Sequence, residues 1–311
     1  MTPDNSKFKI QNSKFPFFCG SGVALVMPFD ENGINEAVLK DLVRFHHTQR
    51  TDALIINGST GEAPTMTPAE QRRAIEVVVG QNSGRIPVIA GVGGSSTAAV
   101  VELARGASEA GADAILLSAP PYNKPTQQGI VAHYRAVLEA ADLPLIVYNV
   151  PGRTACNILP ETVEEIADDP RVVGVKEASG DLSQVAELAR RVGSRLAIYS
   201  GNDDQVLPVL SLGGQGVISV LANIAPADTS RMVHLYLGGD ISEARDLQLG
   251  YLPLIKSLFA EPNPTPVKAG VRALGFEVGP VRLPLQEISE AGRTELVARM
   301  TEVGLSLSPN N

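Results

Sequence analysis

A short apolar run rich in β-branched residues returns about every thirty residues along this chain, eight times in succession. The runs are Gly22–Phe29, Ala53–Gly58, Pro87–Gly93, Ala114–Pro120, Pro144–Pro151, Val172–Ala178, Ala197–Asn202 and Gly216–Ala222. Each is apolar throughout rather than alternating, the pattern of a parallel strand covered on both faces. Parallel neighbours need a crossover between them, and most gaps carry helical periodicity: Ala69–Val79, Ala98–Ala110, Gln128–Ala140, Pro160–Ile166 and Leu182–Val192. Helix starts are marked as well. Thr67-Pro68-Ala69-Glu70 sets Thr at an N-cap, Pro at N1 and Glu at N3. Eight strand–helix repeats predict an α/β fold, a (β/α)8 TIM barrel. The competitor is an open doubly wound sheet; Gly91-Val92-Gly93-Gly94 resembles half a dinucleotide fingerprint but lacks the G-x-G-x-x-G spacing.

From Pro226 onward the pattern is helical without a further strand, and Pro262-Asn263-Pro264-Thr265-Pro266 interrupts it. The expected organisation is a flexible N-terminal tail over 1–18, a barrel carrying the active site over 19–239, and a C-terminal helical region over 240–311. The tail has lysines and a repeated Asn-Ser-Lys-Phe but no apolar stretch of the kind a secretion signal needs.

Composition narrows the function. The net charge of −8 argues against a nucleic-acid partner, which would need a basic surface. Two distant cysteines, Cys19 and Cys156, make neither a disulfide framework nor a paired thiolate metal site, and suit the reducing cytoplasm. The apolar runs are too short to cross a bilayer, so no membrane partner is expected. His46, His47, His133 and His234 fall in no metal-ligand spacing, and no bound metal is expected.

In a barrel of this kind functional side chains gather at the C-terminal ends of the strands. The second run leads into Asn57-Gly58-Ser59-Thr60-Gly61-Glu62, the fifth into Tyr148-Asn149-Val150-Pro151-Gly152-Arg153, the sixth ends Val175-Lys176-Glu177, and the seventh Ser200-Gly201-Asn202-Asp203. A lysine closing an apolar strand points into a low-dielectric interior that disfavours its charged form, and a neutral amine is what imine chemistry requires. Position alone leaves open a pairing of Lys176 with Glu177, or an extended side chain reaching solvent. The Gly58–Gly61 turn could aim backbone N–H groups at a carboxylate or be an ordinary turn. Tyr148 could shuttle protons or be a core tyrosine, and Arg153 could bind a carboxylate or sit in a surface ion pair.

Five motifs in order, Gly58-Ser59-Thr60-Gly61-Glu62, Pro121-Tyr122-Asn123-Lys124-Pro125, Tyr148-Asn149-Val150-Pro151, Gly174-Val175-Lys176-Glu177-Ala178 and Gly216-Val217-Ile218-Ser219-Val220, resemble the dihydrodipicolinate synthase / N-acetylneuraminate lyase family from about Phe18 to about Leu305. The resemblance implies that Lys176 forms a Schiff base with pyruvate, without metal or organic cofactor. It implies that Tyr148, Ser59 and Tyr122 relay protons, Tyr122 from a neighbouring subunit. It further implies that Ser59 and Thr60 hold the pyruvate carboxylate and that Gly201 and Ile218 line its pocket. Family members are commonly homotetramers built as dimers of dimers. Arg153, just after the Tyr-Asn-Val-Pro turn, stands where members using L-aspartate 4-semialdehyde have arginine. The activity so implied is condensation of pyruvate with that aldehyde to 4-hydroxy-tetrahydrodipicolinate, a step of lysine and diaminopimelate biosynthesis.

Two departures stand out. Ser59 replaces the threonine usual in the synthases, which keeps in view an alternative: an aldolase, lyase or dehydratase of a sugar-derived 2-keto acid. Pro121 replaces a boundary tyrosine, and Ala63, Pro64, Pro68, Gln71, Ser95 and Ala99 lack the pattern of a lysine feedback site, so weak or absent inhibition by lysine is expected. A barrel that merely senses a keto acid is the reading from another class, and the intact Lys176, Tyr148, Ser59 and Tyr122 speak against it.

Overall fold

A computed structural model describes residues 17–308. Eight strands form one closed parallel barrel: β1 (Gly20–Ala24), β2 (Ala53–Ile56), β3 (Val88–Val92), β4 (Ala114–Ser118), β5 (Leu145–Asn149), β6 (Val172–Glu177), β7 (Ala197–Ser200) and β8 (Gly216–Ser219). Closure is made where β1 pairs with β2 on one side and with β8 on the other, in the registers Gly22↔Ala53 and Gly20↔Gly216. The last contact admits only glycine, since a Cβ on Gly216 would lie 1.9 Å from the carbonyl oxygen of Gly20. This is the predicted TIM barrel.

Helices alternate with the strands: α1 (Glu36–Thr48), α2 (Pro68–Asn82), α3 (Thr97–Glu109), α4 (Gln127–Ala140), α5 (Pro160–Ile166), α6 (Leu182–Val192), α7 (Val206–Ser211) and α8 (Pro226–Gly238). Their entries are chemically signed. Thr67 and Glu70 form the full reciprocal capping box on α2, and Ser96, Thr126 and Asp181 cap α3, α4 and α6 through side-chain oxygens. Beyond the barrel lie α9 (Ile241–Leu258), α10 (Thr265–Ala273) and α11 (Glu290–Glu302).

Alternation along each strand sorts the side chains into two apolar masses. Ile55, Ile89, Leu116, Ile146, Ala197, Tyr199 and Ile218 fill the barrel itself. Val23, Leu54, Ile56, Val88, Ile115, Val147 and Val175 face the helical ring in a separate, larger cluster. The base of the barrel is plugged by an aromatic pair, Phe18 stacked on Tyr199 with ring centroids 4.2 Å apart. The Tyr199 hydroxyl donates to the Phe18 carbonyl at 2.8 Å, and the Phe18 amide donates back to it at 3.2 Å.

That plug corrects one boundary. Residues 1–16 of the expected tail lie outside the described residues, but Phe18 is 6% exposed and belongs to the barrel, because its ring covers apolar surface that water would otherwise reach. The first run is also shifted. The strand occupies Gly20–Ala24, whereas Val26 lies in the buried stretch that follows, its amide donating to the Asn223 side chain, and Phe29 joins a separate two-residue antiparallel ladder with Gly33–Ile34, its amide donating to the Val278 carbonyl. Continuous hydrophobicity there marks a buried loop, which burial alone does not distinguish from a strand.

Phe18→Ala removes one of the two stacked rings and should cost about 3–5 kcal/mol of folding stability by chemical denaturation. An unchanged unfolding midpoint would show that the aromatic stack carries no weight.

Candidate active site

Lys176 is the fifth residue of β6, flanked in register by Tyr148 of β5 and Tyr199 of β7. Its side chain enters the barrel and is 6% exposed. Glycines make the space. A Cβ on Gly174 would press on the Tyr199 ring at 3.1 Å, and one on Gly201 would meet the Lys176 Cε at 3.1 Å. The side chain is therefore accommodated inside the barrel with little of it exposed to solvent. Burial pulls its pKa from 10.5 down to about 7; the charge of Asp203 pulls it back up, and that of Arg153 pushes it further down.

Glu177 is not its partner. Successive strand residues face opposite ways, and the Glu177 carboxylate accepts from Asn149 Nδ2 at 3.0 and 3.2 Å, Gln184 Nε2 at 3.1 Å and the Ser179 amide at 2.6 Å on the helical side. Both open alternatives for Lys176, pairing with Glu177 and reaching solvent, are thereby closed.

Lys176 Nζ lies 4.3 Å from the centroid of the Tyr148 ring. Burial raises the Tyr148 phenol to about 12, against the opposing influence of Arg153 and of the Ser59 hydroxyl bonded to it. At neutral pH the phenol keeps its proton beside an amine poised to lose one, an acid next to a base. The loop after β2 brings Ser59 to this pair. Its turn is closed by Gly61 N–H to the Gly58 carbonyl (3.0 Å) and Glu62 N–H to the Ser59 carbonyl (3.1 Å). The amides of Ser59 and Thr60 donate to no atom among the described residues. Two adjacent free donors fit a carboxylate.

Thr60, 4% exposed, accepts at its hydroxyl from Asn263 Nδ2 at 3.0 Å, while the Asn263 side-chain oxygen is buried with no partner. Arg153, in the one-turn helix Pro151–Thr154, donates to the Asn263 carbonyl at 3.4 Å. Asn263 is thus a site residue that the proline-rich stretch had suggested only as a helix break. Asp203 is another: buried at 3% exposure, it accepts from Ser219 Oγ (2.5 Å) and the amides of Val220 and Leu221 (both 3.0 Å). Ile218 is fully buried in the barrel interior, in the apolar mass against which Tyr148 packs.

Tyr122 stands apart. It adopts φ 70° on the loop after β4 and is 89% exposed, so a single chain does not bring it to Lys176. Among the described residues no group of three or more His, Cys, Asp or Glu could hold a metal ion, and no helix is long and apolar enough to cross a membrane. Cys19 and Cys156 are free thiols.

In this closed parallel barrel a buried lysine at a strand end stands beside a protonated phenol, and two free amides lie on the turn after β2, a set of groups suited to chemistry on small carbonyl compounds. Residues 17–303 match the model of the dihydrodipicolinate synthetase family, and the chain belongs to that family of aldolase-type lyases. A 4-hydroxy-tetrahydrodipicolinate synthase of Thermoanaerobacter sp. (strain X514) is 53% identical over 296 residues, covering 95% of this chain and all of that protein. The Clostridium tetani enzyme of the same name is 51% identical over 275 residues, covering 88% and 94%. Among solved structures, the dihydrodipicolinate synthase of Cyanidioschyzon merolae with lysine bound superposes with a TM-score of 0.91 at 39% identity, covering 94% of this chain and 100% of that one. The chloride-inhibited synthase of Acinetobacter baumannii complexed with pyruvate gives 0.90 at 38%, covering 93% and 99%.

The buried amine has a thermodynamic signature. A lysine whose folded pKa lies below its ordinary 10.5 costs the fold stability at all pH below about 7, and the cost fades as pH rises from there to 10.5. Lys176→Met should therefore raise stability at neutral pH, with the gain vanishing in strong alkali. Paired urea melts at pH 7 and 10.5 check this; a variant less stable at both would contradict it.

Proposed function

We propose that this chain condenses pyruvate with L-aspartate 4-semialdehyde through a Schiff base on Lys176, giving 4-hydroxy-tetrahydrodipicolinate. The observation that carries the proposal is the buried Lys176 amine, its pKa near 7, against the Tyr148 ring at 4.3 Å. The uncharged Nζ attacks C2 of pyruvate, whose carboxylate takes the free amides of Ser59 and Thr60. Tyr148 gives its proton to the departing hydroxyl, water leaves, and the imine forms. Loss of a methyl proton makes the enamine, whose carbon attacks the aldehyde. The amine of the new chain then closes on C2 and displaces Lys176. Protons pass along Tyr148 and Ser59, with Tyr122 of a neighbouring subunit completing the path, and Gly201 and Ile218 shape the pocket.

At the mouth Arg153 takes the aldehyde's own carboxylate, and the unpartnered side-chain oxygen of Asn263 is an acceptor for its amine. An exposed Tyr122 is the reason to propose an assembly, a homotetramer of paired dimers in which each site borrows that phenol. Such an enzyme would work in the cytoplasm without metal or organic cofactor, the imine being its own electron sink. Lysine is proposed to inhibit weakly or not at all, since Gln71 spends its amide on the Ala63 and Met66 carbonyls and Ala63, Pro64, Pro68, Ala99 and Pro121 offer no polar side chains. Ser59 in place of threonine favours the second reading, a sugar-derived 2-keto acid as natural substrate; a panel of aldehydes offered with pyruvate separates the two.

Lys176→Met should form no borohydride-reducible adduct with pyruvate and lose all turnover. Arg153→Ala should raise KM for the semialdehyde at least about tenfold while the pyruvate adduct still forms; equal loss of both would refute the division of roles. kcat/KM for pyruvate should climb as pH rises through about 7, since only the neutral amine attacks, and a profile falling over that range would contradict the mechanism. Calorimetric titration with lysine should be flat, and tight binding would refute the reading of the feedback positions.

A further inference from the structure

We infer that Glu62 and Lys268 are a positioning pair for the Gly58–Glu62 turn, so that the C-terminal helical region sets the geometry with which this turn holds the substrate carboxylate. The inference rests on the proposed role of the Ser59 and Thr60 amides.

Both side chains are fully buried, and Lys268 Nζ donates to Glu62 Oε1 at 2.7 Å. The pair is tied down on every side. Lys268 also donates to the Pro280 carbonyl at 2.7 Å and sits 4.5 Å from the Phe29 ring centroid, and the other carboxylate oxygen of Glu62 accepts from the Arg282 amide at 2.8 Å. Stability is a poor reason for such a pair, because two desolvated charges commonly do no better than two apolar side chains of the same volume. Fixed geometry is a better one.

Glu62 supplies the geometry. Its backbone is left-handed, φ 55° and ψ 27°, which a side-chain-bearing residue adopts rarely and keeps only under restraint. In that conformation its amide closes the turn onto the Ser59 carbonyl at 3.1 Å, and its carbonyl accepts from the Thr65 amide at 2.8 Å and the Thr65 hydroxyl at 2.9 Å. Moving the Glu62 side chain therefore moves Ser59 and Thr60. The same C-terminal stretch grips the turn a second time through Asn263 and the Thr60 hydroxyl. Neither Glu62 nor Lys268 has a bond to Lys176 or Tyr148 among the described residues, so the pair acts through the turn.

Kinetics of Glu62→Gln separate this role from a structural one. The isosteric amide should raise KM for pyruvate at least about tenfold, leave KM for the aldehyde within about twofold, and still give the reducible adduct at saturating pyruvate. A soluble variant with pyruvate KM within about twofold of wild type would overturn the inference, whatever its melting temperature. Should Glu62→Gln not fold, Glu62→Gln/Lys268→Met, which leaves neither charge alone, is read in the same way. Hydrogen exchange on the wild-type protein decides independently of any variant. Borohydride reduction with pyruvate should slow exchange in residues 58–62 and in residues 262–270 together, and slowing confined to the first segment would overturn the inference. Absence of any adduct on the wild-type protein would instead fell the proposed chemistry itself.

Discussion

An amine is a nucleophile near neutral pH where its charged form is destabilised, and in this chain the inside of a closed barrel does this at Lys176 by keeping water from solvating the cation. The surrounding architecture follows from the need to bury one lysine without smothering it. Gly174 and Gly201 avoid clashes with Tyr199 and with the Lys176 side chain, the Phe18–Tyr199 stack plugs the barrel, and Tyr148 covers the flank of the lysine. The charges nearby are arranged in opposition: Arg153 reinforces the effect of burial and Asp203 tempers it. Asp203 is itself held by a hydroxyl and two amides, so its position does not depend on the lysine.

The electrostatics of the pair matter more than either group alone. Burial moves Lys176 and Tyr148 towards their neutral forms from opposite directions, one down to about 7 and the other up to about 12. A low-dielectric environment thus prepares a base and an acid side by side with no cofactor between them. In the proposed reaction the substrate's negative charge would be met by the free backbone donors of the turn after β2 and by Arg153, which would separate capture of the carboxylate from the chemistry on the carbonyl.

Much of this was legible in the chain. Continuous apolar runs with capped helices between them specify parallel strands covered on both sides, and the polar residues that interrupt such runs mark the strand ends where the candidate site lies. Lys176, Tyr148, Ser59 and Thr60 are visible for that reason. What could not be read are contacts between distant segments. Asn263 meets Thr60 across 203 positions and Lys268 meets Glu62 across 206, and no local pattern announces either. Position also left Lys176 undecided until the strand's alternation turned Glu177 to the helical side, and hydrophobicity did not tell the strand Gly20–Ala24 from the buried loop after it.

The account stands on one property, the uncharged state of the Lys176 amine in the folded protein near neutral pH. Selective isotopic labelling of lysine and an NMR titration, with the resonance assigned by its loss in Lys176→Met, measures it directly. A transition centred near pH 7 is the predicted result; titration at the ordinary lysine value of 10.5 would contradict the account.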